Sequence, residues 1–578
     1  MPADPKTELT ARFRAALAIA FGDDHAATDP LIRPSAFGDY QANVAMSLAK
    51  ALGRPPREVA AAVVEHLDVA DLCETVEVSG PGFINITLRR EWIAARALEL
   101  LGDERMGVPP AARAETVVID YSAPNAAKEM HVGHLRSTVI GDALARALGF
   151  LGHGVVRQNH VGDWGTPFGM LIEHMVDIGG AAPGSELVIG DMNAFYRHAR
   201  EKYDSDPDFA ERARRRVVAL QAGDENALRL WRRLVGESMR HVEAIYQRLG
   251  VLLDDGDLDA ESRFNPVLPD VVAELEAKGI AVESQGALCV FPPGFKGRDG
   301  APLPLIVRKR DGGYNYVTTD LAAVRFRVRE LGATRLVYVV GAEQVLHLAM
   351  IFAASLQAGW LTPEHRAEHA AHGLVLGRDG KRLRTRSGDP IKLVDLLDEA
   401  EQRAAKVVGE RSELDPATRA AVAHIVAMGA LKYFDLSFQR ERDYVFDWDR
   451  MLAFDGNTGP YLQYAVTRIR SIFRRGGLDP REPTGAPVVL GQPAERALAL
   501  KLLGLGEAVA AVADSLEPHR LCAYLFELAT AFTDFYEACP VLQAEEPARA
   551  SRLALCALTA RGLELGLGLL GIEVPDRM

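Results

Sequence analysis

Apolar and polar positions alternate along this chain in blocks that predict its elements. Glu115-Thr-Val-Val-Ile-Asp-Tyr121 is short and β-branched, which predicts a buried strand. Ile140, Ala143, Leu144, Ala147 and Leu148 then recur at helical spacing, so a helix begins close to His134 and packs on that strand's sheet. Residues 154–160 read as the next strand and 162–165 as the loop that follows. Thr334-Arg-Leu-Val-Tyr-Val-Val340 is a further strand, and Gly341-Ala-Glu-Gln-Val-Leu-His347 enters a helix. Between these halves the pattern is helical and charged to about residue 250, then alternates short apolar segments with Gly and Pro turns from 288 to 320. The expected organisation is an α+β unit over 1–110, a first half-sheet over 111–175, an insertion over 176–330, a second half-sheet over 331–400 and helices over 401–578. The class is α/β: an open sheet of the dinucleotide-binding kind, split by an insertion, whose ligand belongs at the switch point.

Composition narrows the classes. An apolar share of 48% with 25% charged residues is ordinary for a globular chain. No apolar run reaches the roughly 18 residues of a membrane span. The start, Met1-Pro-Ala-Asp-Pro-Lys-Thr-Glu, lacks the basic and apolar regions of a secretory signal. Cys73, Cys289, Cys522, Cys539 and Cys556 are scattered, which predicts reduced core residues, no zinc and a cytoplasmic setting. The net charge of -13 opposes phosphate binding in sum, but distribution matters more. Basic clusters stand at 212–216, 381–386 and 468–475. The first reads as a solvated helix face, the second as a phosphate loop.

The densest chemistry is Ser122-Ala-Pro-Asn-Ala-Ala-Lys-Glu-Met-His131-Val-Gly-His134-Leu-Arg-Ser-Thr. Two histidines around a glycine sit where unpaired helix N–H groups and the macrodipole attract anions. Gly133 lets a ligand approach the backbone, and the imidazoles can donate to phosphate oxygens. The plainer alternative is a helix cap. It is not a zinc helix, which would read His-Glu-x-x-His, and no Walker or Gly-x-Gly-x-x-Gly string occurs. A second signal is Leu376-Gly-Arg-Asp-Gly-Lys-Arg-Leu-Arg-Thr-Arg-Ser-Gly388, where glycines at 380 and 388 bracket four cations that can close over a triphosphate. Asp120 and Asp320 are carboxylates at strand or loop ends facing the site. By spacing alone, Asp320 is a helix N-cap ahead of Leu321-Ala-Ala-Val-Arg-Phe.

The string Ala-Pro-Asn-x-x-Lys-x-x-His-x-Gly-His-Leu-Arg-Ser resembles the HIGH signature of class I aminoacyl-tRNA synthetases, in the form of the arginine enzymes. The loop at 377–388 resembles their KMSKS loop but departs from it. Paired lysines are absent, and Lys381, Arg384, Thr385 and Arg386 stand in their neighbourhood. The resemblance implies a Rossmann-like class I sheet, an N-terminal appended domain touching the tRNA elbow and an all-helical anticodon-binding domain. It implies catalytic roles for His131, His134, Lys128 and the four loop residues, with ATP held by Pro124, His131, Gly133 and His134. The Tyr-x-x-x-Asp pattern puts Tyr316 and Asp320 on an arginine guanidinium, with Asp120 as a third partner where the family often has Glu. Asn125, Gln344 and Ser122 then belong at the amino end of the substrate.

For tRNA, segments 37–43 and 78–86 resemble the appended domain, implicating Tyr40 and Asn43. Tyr461, Tyr464, Tyr536 and Met578 fall near the anticodon. The three-residue spacing of Tyr461 and Tyr464 also suits plain core packing. The implied activity is arginine–tRNA ligation by a monomer: ATP, with Mg²⁺ assisting, and L-arginine give arginyl-adenylate, and tRNA accepts the arginyl group. Two readings stand beside it. A different adenylate-forming class I synthetase is one; the scattered cysteines oppose a cysteine-specific relative. A non-catalytic RNA-binding paralogue is the other, opposed by the intact histidines and basic loop.

Overall fold

Val117, Val118 and Ile119 are buried because their strand lies inside a parallel sheet covered on both faces. The computed structural model describes residues 4–179, 192–384, 390–411, 414–479 and 487–578. In it, Thr116–Tyr121 pairs in parallel with Gly154–Gln158 on one side and Arg335–Val339 on the other, and Arg366–His369 forms an edge. The chain leaves the central strand toward one neighbour and returns much later to the other. The switch point therefore lies where Tyr121 and Val339 stand side by side, and a crevice opens beyond both carboxyl ends.

Helix Val132–Phe150 follows the central strand and is buried along most of its length. Gly141 lets it approach closely, since a Cβ there would lie 2.3 Å from Tyr121 Cβ. Between the half-sheets, helices Met192–Ser205, Pro207–Gln221 and Glu225–Leu249 pack with Thr166–Asp177 around their own apolar cluster. A three-stranded antiparallel sheet of Ala281–Ser284, Ala287–Val290 and Leu305–Arg308 comes next. Helix Tyr316–Arg329 shares a core with Val118, Leu336 and Tyr338, so the chain is back on the parallel sheet before residue 330.

The N-terminal unit is an antiparallel sheet in the order Ile32–Pro34, Tyr40–Ala42, Phe83–Leu88, Cys73–Ser79, covered by helices. Ile84, Ile86 and Leu88 alternate inward, as a half-buried strand requires. The C-terminal unit is helical, from Leu393–Arg411 through Ala548–Leu569. Among the described residues no helix is long and apolar enough to cross a membrane. All five cysteines are buried and unbridged.

The first and last units meet directly. Arg496 donates to both Asp39 oxygens at 2.8 and 2.6 Å and to the Leu88 carbonyl at 3.0 Å. Arg561 donates to the carbonyls of Leu100, Leu101 and Asp103. A fork of this kind, partly buried, is stronger than a surface ion pair. Arg496→Leu should weaken the docking by about 2 kcal/mol. In hydrogen–deuterium exchange, Tyr40–Ala42 and Phe83–Leu88 should lose protection while Thr116–Tyr121 keeps it. Unchanged protection in the N-terminal strands would show that docking does not depend on this fork.

Candidate active site

Beyond Tyr121 the backbone turns through two left-handed residues, Ser122 at φ 70° and Ala123 at φ 44°. Such conformations are costly for residues with a Cβ and persist only when surroundings hold them. Here the Ser122 amide donates to Ser137 Oγ at 2.9 Å, and its hydroxyl hydrogen-bonds Thr138 Oγ1 at 2.8 Å and Tyr246 Oη at 2.6 Å. The Ala123 amide donates to Asn159 Oδ1 at 3.0 Å, and Asn159 donates in turn to Tyr246. Ser122, expected at the substrate, thus spends its hydroxyl on holding this turn.

The turn leads into the histidines. His131 is the N-cap of helix Val132–Phe150, and its Nδ1 accepts from the Gly133 amide at 3.0 Å. His134, in the first turn, accepts the His131 amide on its own Nδ1 at 3.0 Å. The rings stack with centroids 4.0 Å apart. A Cβ on Gly133 would lie 2.8 Å from His131 Cε1, so this pairing needs the glycine. Both Nδ1 atoms are acceptors, which leaves the proton of each neutral ring on Nε2. Burial and then Lys128 hold His131 below its ordinary value, and burial and then His131 push His134 down to about 3. The cap and nucleotide readings therefore hold together: capping through Nδ1 frees two Nε2–H donors.

These donors border a cavity of about 490 Å³ at the switch point, with Ser122, Gln344 and His372. Arg382 and Arg384 line its opposite side from the basic hairpin. Lys381 is exposed and does not line it. Thr385 and Arg386 lie outside the described residues. Pro124 is buried behind the turn, and Lys128 stands 4.6 Å over the Tyr196 ring; neither lines this cavity.

Asp320 is not the N-cap. Asn315 caps helix Tyr316–Arg329, accepting the Val317 amide at 3.1 Å, and Asp320 falls in the second turn. Its Oδ2 is 2.6 Å from His347 Nε2 and its Oδ1 is 3.9 Å from His160 Nε2. Tyr316, 61% exposed, lines a second cavity of about 620 Å³ with Asn125, Trp164 and Glu261. Asp120 is placed differently from the expectation. It is 4% exposed, and its Oδ2 accepts Arg327 Nη2 at 2.8 Å instead of bordering either cavity. A carboxylate that far inside needs a cation, and the helix packed on the sheet supplies one.

Arg327, 1% exposed, also reaches Asp259 Oδ2 at 3.2 Å and lies 4.9 Å over the Tyr338 ring. Burial opposes charge on His160, but its bond to Asp259 and the charge of Asp120 push it up to about 9. Burial pushes Glu261 up to about 7. His160, His347 and His372 fall in no motif of the sequence, and Arg382 is legible there only as one cation of the basic loop at 381–386. His347 lies three residues after Gln344, on the same face of one helix turn, a spacing that could have flagged it.

Of the residues expected at tRNA, Tyr40 is 7% exposed, in the core shared with the helical unit. Asn43 stands at the N-cap position of Val44–Leu52 with its Oδ1 buried and unpartnered among the described residues. Tyr461 is half-buried, its hydroxyl 3.3 Å from Thr533 Oγ1, whereas Tyr464 is 43% exposed. Arg468 lies 4.5 Å over the Tyr536 ring, and Met578 packs against the main core.

Comparison with known proteins agrees along the whole chain. The family description "tRNA synthetases class I (R), catalytic domain" matches residues 98–448. "Arginyl tRNA synthetase N terminal domain" matches 7–88, and "DALR anticodon binding domain" matches 462–578. An arginine–tRNA ligase of Thermobifida fusca is 59% identical over 578 residues, covering 100% of both chains. One of Synechococcus elongatus is 50% identical, again over 100% of both. The crystal structure of the Plasmodium falciparum arginyl-tRNA synthetase superposes with a TM-score of 0.87 at 27% identity, covering 100% of both chains. That of Thermus thermophilus gives 0.84 at 26%, covering 99% of this chain and 100% of the other. With its catalytic sheet, both flanking units and its full-length relatives in agreement, the chain belongs to the arginyl-tRNA synthetase family.

Proposed function

We propose that this arginine–tRNA ligase forms arginyl-adenylate at the switch point, with ATP phosphates on the histidine side and arginine on the Asp320 side. One observation carries the substrate assignment: of the three aspartates gathered beneath the crevice, Asp320 is the one with no arginine or lysine partner among the described residues. Asp120 pairs with Arg327 and Asp259 with Arg327, Arg263 and His160, whereas Asp320 meets only His347 and, at 3.9 Å, His160. Asp120 and Asp259 are buried against Arg327, whereas Asp320 is partly exposed. A guanidinium supplies the missing partner there, with a planar fork that an ammonium lacks.

On the nucleotide side, the Nε2–H donors of His131 and His134 and the N-terminus of their helix meet the phosphates. Arg382 and Arg384, with Lys381, Thr385 and Arg386 of the same loop, take the charge building on the leaving pyrophosphate. The arginine carboxylate attacks the α-phosphorus in line. The bond to pyrophosphate breaks, and no protein group has to move a proton. Asn125 and Gln344 hold the amino end of arginine. The arginyl group then passes to a hydroxyl of the terminal tRNA nucleotide. Residues 1–110 meet the tRNA elbow and 401–578 the anticodon, where exposed Tyr464 and the Arg468–Tyr536 pair suit base stacking.

The proposal includes Mg²⁺ bound with ATP, a monomer, and a cytoplasmic setting. Among the described residues no three acidic, His or Cys side chains are grouped to hold a metal. Mg²⁺ fits best on phosphate oxygens with Glu343 beside the cavity, where it supplies further charge neutralisation. Five unbridged, buried thiols support a reducing compartment.

Two measurements test the two sides. His134→Ala should lower the rate of adenylate formation by about 10²-fold, the order for one lost preorganised donor. ATP should still bind within a few-fold, so ATP–pyrophosphate exchange with tRNA present separates the effects; an unchanged rate removes the histidines from the phosphates. Asp320→Asn should weaken arginine by roughly 2–4 kcal/mol and leave ATP unaffected. Calorimetric titration of that variant reads this directly, and an unchanged dissociation constant removes Asp320 from the arginine site.

A further inference from the structure

Helix Val345–Gln357 starts right after Gln344, so its first turn stands at the rim of the site. From that turn His347 reaches across to helix Tyr316–Arg329. Its Nε2 lies 2.6 Å from Asp320 Oδ2, and its ring centroid lies 5.1 Å from that of Tyr316. Tyr316 and Asp320 are four residues apart and share one face of their helix. One imidazole thus touches both side chains assigned above to the guanidinium, and it comes from the helix that follows the residue assigned to the amino end.

We propose that His347 is a positioning residue for arginine, holding the Asp320 carboxylate and the Tyr316 ring in the arrangement that receives the guanidinium. This rests on the arginine site proposed above. A partly exposed carboxylate has two free torsions, and binding a planar fork requires both to be fixed beforehand. The other neighbour of Asp320, His160, is 3.9 Å away and is itself engaged by Asp259 at 3.4 Å, so it cannot set the carboxylate plane alone. His347 makes the shorter contact and leaves the remaining lone pairs of both oxygens for the substrate. The same contact adds a polar tie at the rim of the site between the two helices that grip opposite ends of arginine.

The test uses the full chain with His347→Leu, His347→Gln, Asp320→Asn and the double variant His347→Leu/Asp320→Asn. ATP–pyrophosphate exchange with tRNA present gives KM for arginine and ATP separately from kcat. His347→Leu should raise the arginine KM by about 10-fold or more, the size of one lost hydrogen bond to a charged group. The ATP KM and kcat at saturating arginine should stay within about threefold, which a general loss of structure would not allow. Gln places an amide N–H at a similar reach, so His347→Gln should recover most of the loss. On the Asp320→Asn background, His347→Leu should add less than about twofold, because the group it positions is already impaired. An unchanged arginine KM in His347→Leu, a matching rise in the ATP KM, no recovery in His347→Gln, or full additivity with Asp320→Asn would each overturn the proposal. If Asp320→Asn is itself silent, the arginine site has been misassigned and the proposal falls with it. If Asp320→Asn is damaging and His347→Leu silent, only the positioning role fails.

Discussion

The buried guanidinium of Arg327 is the constraint on which the substrate side is built. It joins the end of the central strand through Asp120, the next strand through Gln158 and the segment after the inserted helices through Asp259. Three stretches far apart in the chain are thereby held to one point beneath the crevice. Removing one partner of such a cluster costs about 3–5 kcal/mol, because the remaining charges stay buried without compensation. The same cluster sets the electrostatics above it. Asp120 and Asp259 are paired with Arg327 from below, which leaves Asp320 as the aspartate of this group with no arginine or lysine partner among the described residues.

The nucleotide side uses the opposite device. Its histidines are kept neutral by burial and by each other, and their Nδ1 atoms are spent on backbone amides. Two uncharged donors beside a helix N-terminus can meet phosphate oxygens without the desolvation cost of buried cations. Positive charge comes from the basic hairpin instead, where Arg382 and Arg384 are exposed and border the cavity. An ion-paired floor and a neutral hydrogen-bonding wall thus lie side by side beyond the strand ends.

The rest of the chain braces this arrangement. Asp142, on the histidine helix, accepts the Leu252 amide and pairs with Arg146, which donates to the Gly250 carbonyl. Lys432, buried among the C-terminal helices and pushed down to about 8 by that burial, donates to the Gly571 carbonyl at 2.6 Å. Gly571 itself sits against Asp142 and Arg146. The histidine helix therefore touches the returning insertion, the C-terminal helices and the last turn of the chain at one place, and the apolar core runs through all of them.

By itself the sequence determined the local structure around the histidine pair. Strand Thr116–Tyr121, its helix and the histidine pair are legible because period, capping chemistry and the ligand-facing glycine all lie within about thirty consecutive residues. Tyr316 and Asp320 were legible as a motif but not as a site, since only their order was visible. What tertiary structure alone decided is which charges neutralise which. Asp120 resembles a ligand until Arg327, 207 residues later, is found against it. Tyr40 resembles an exposed aromatic until the C-terminal helices cover it. His160 carries no local signal and His347 only its spacing from Gln344, because the chemistry of both comes from carboxylates on other elements. Hydrophobic period and caps act between neighbours in sequence, whereas Coulomb interactions and desolvation act between neighbours in space, and only the packed chain says who those are.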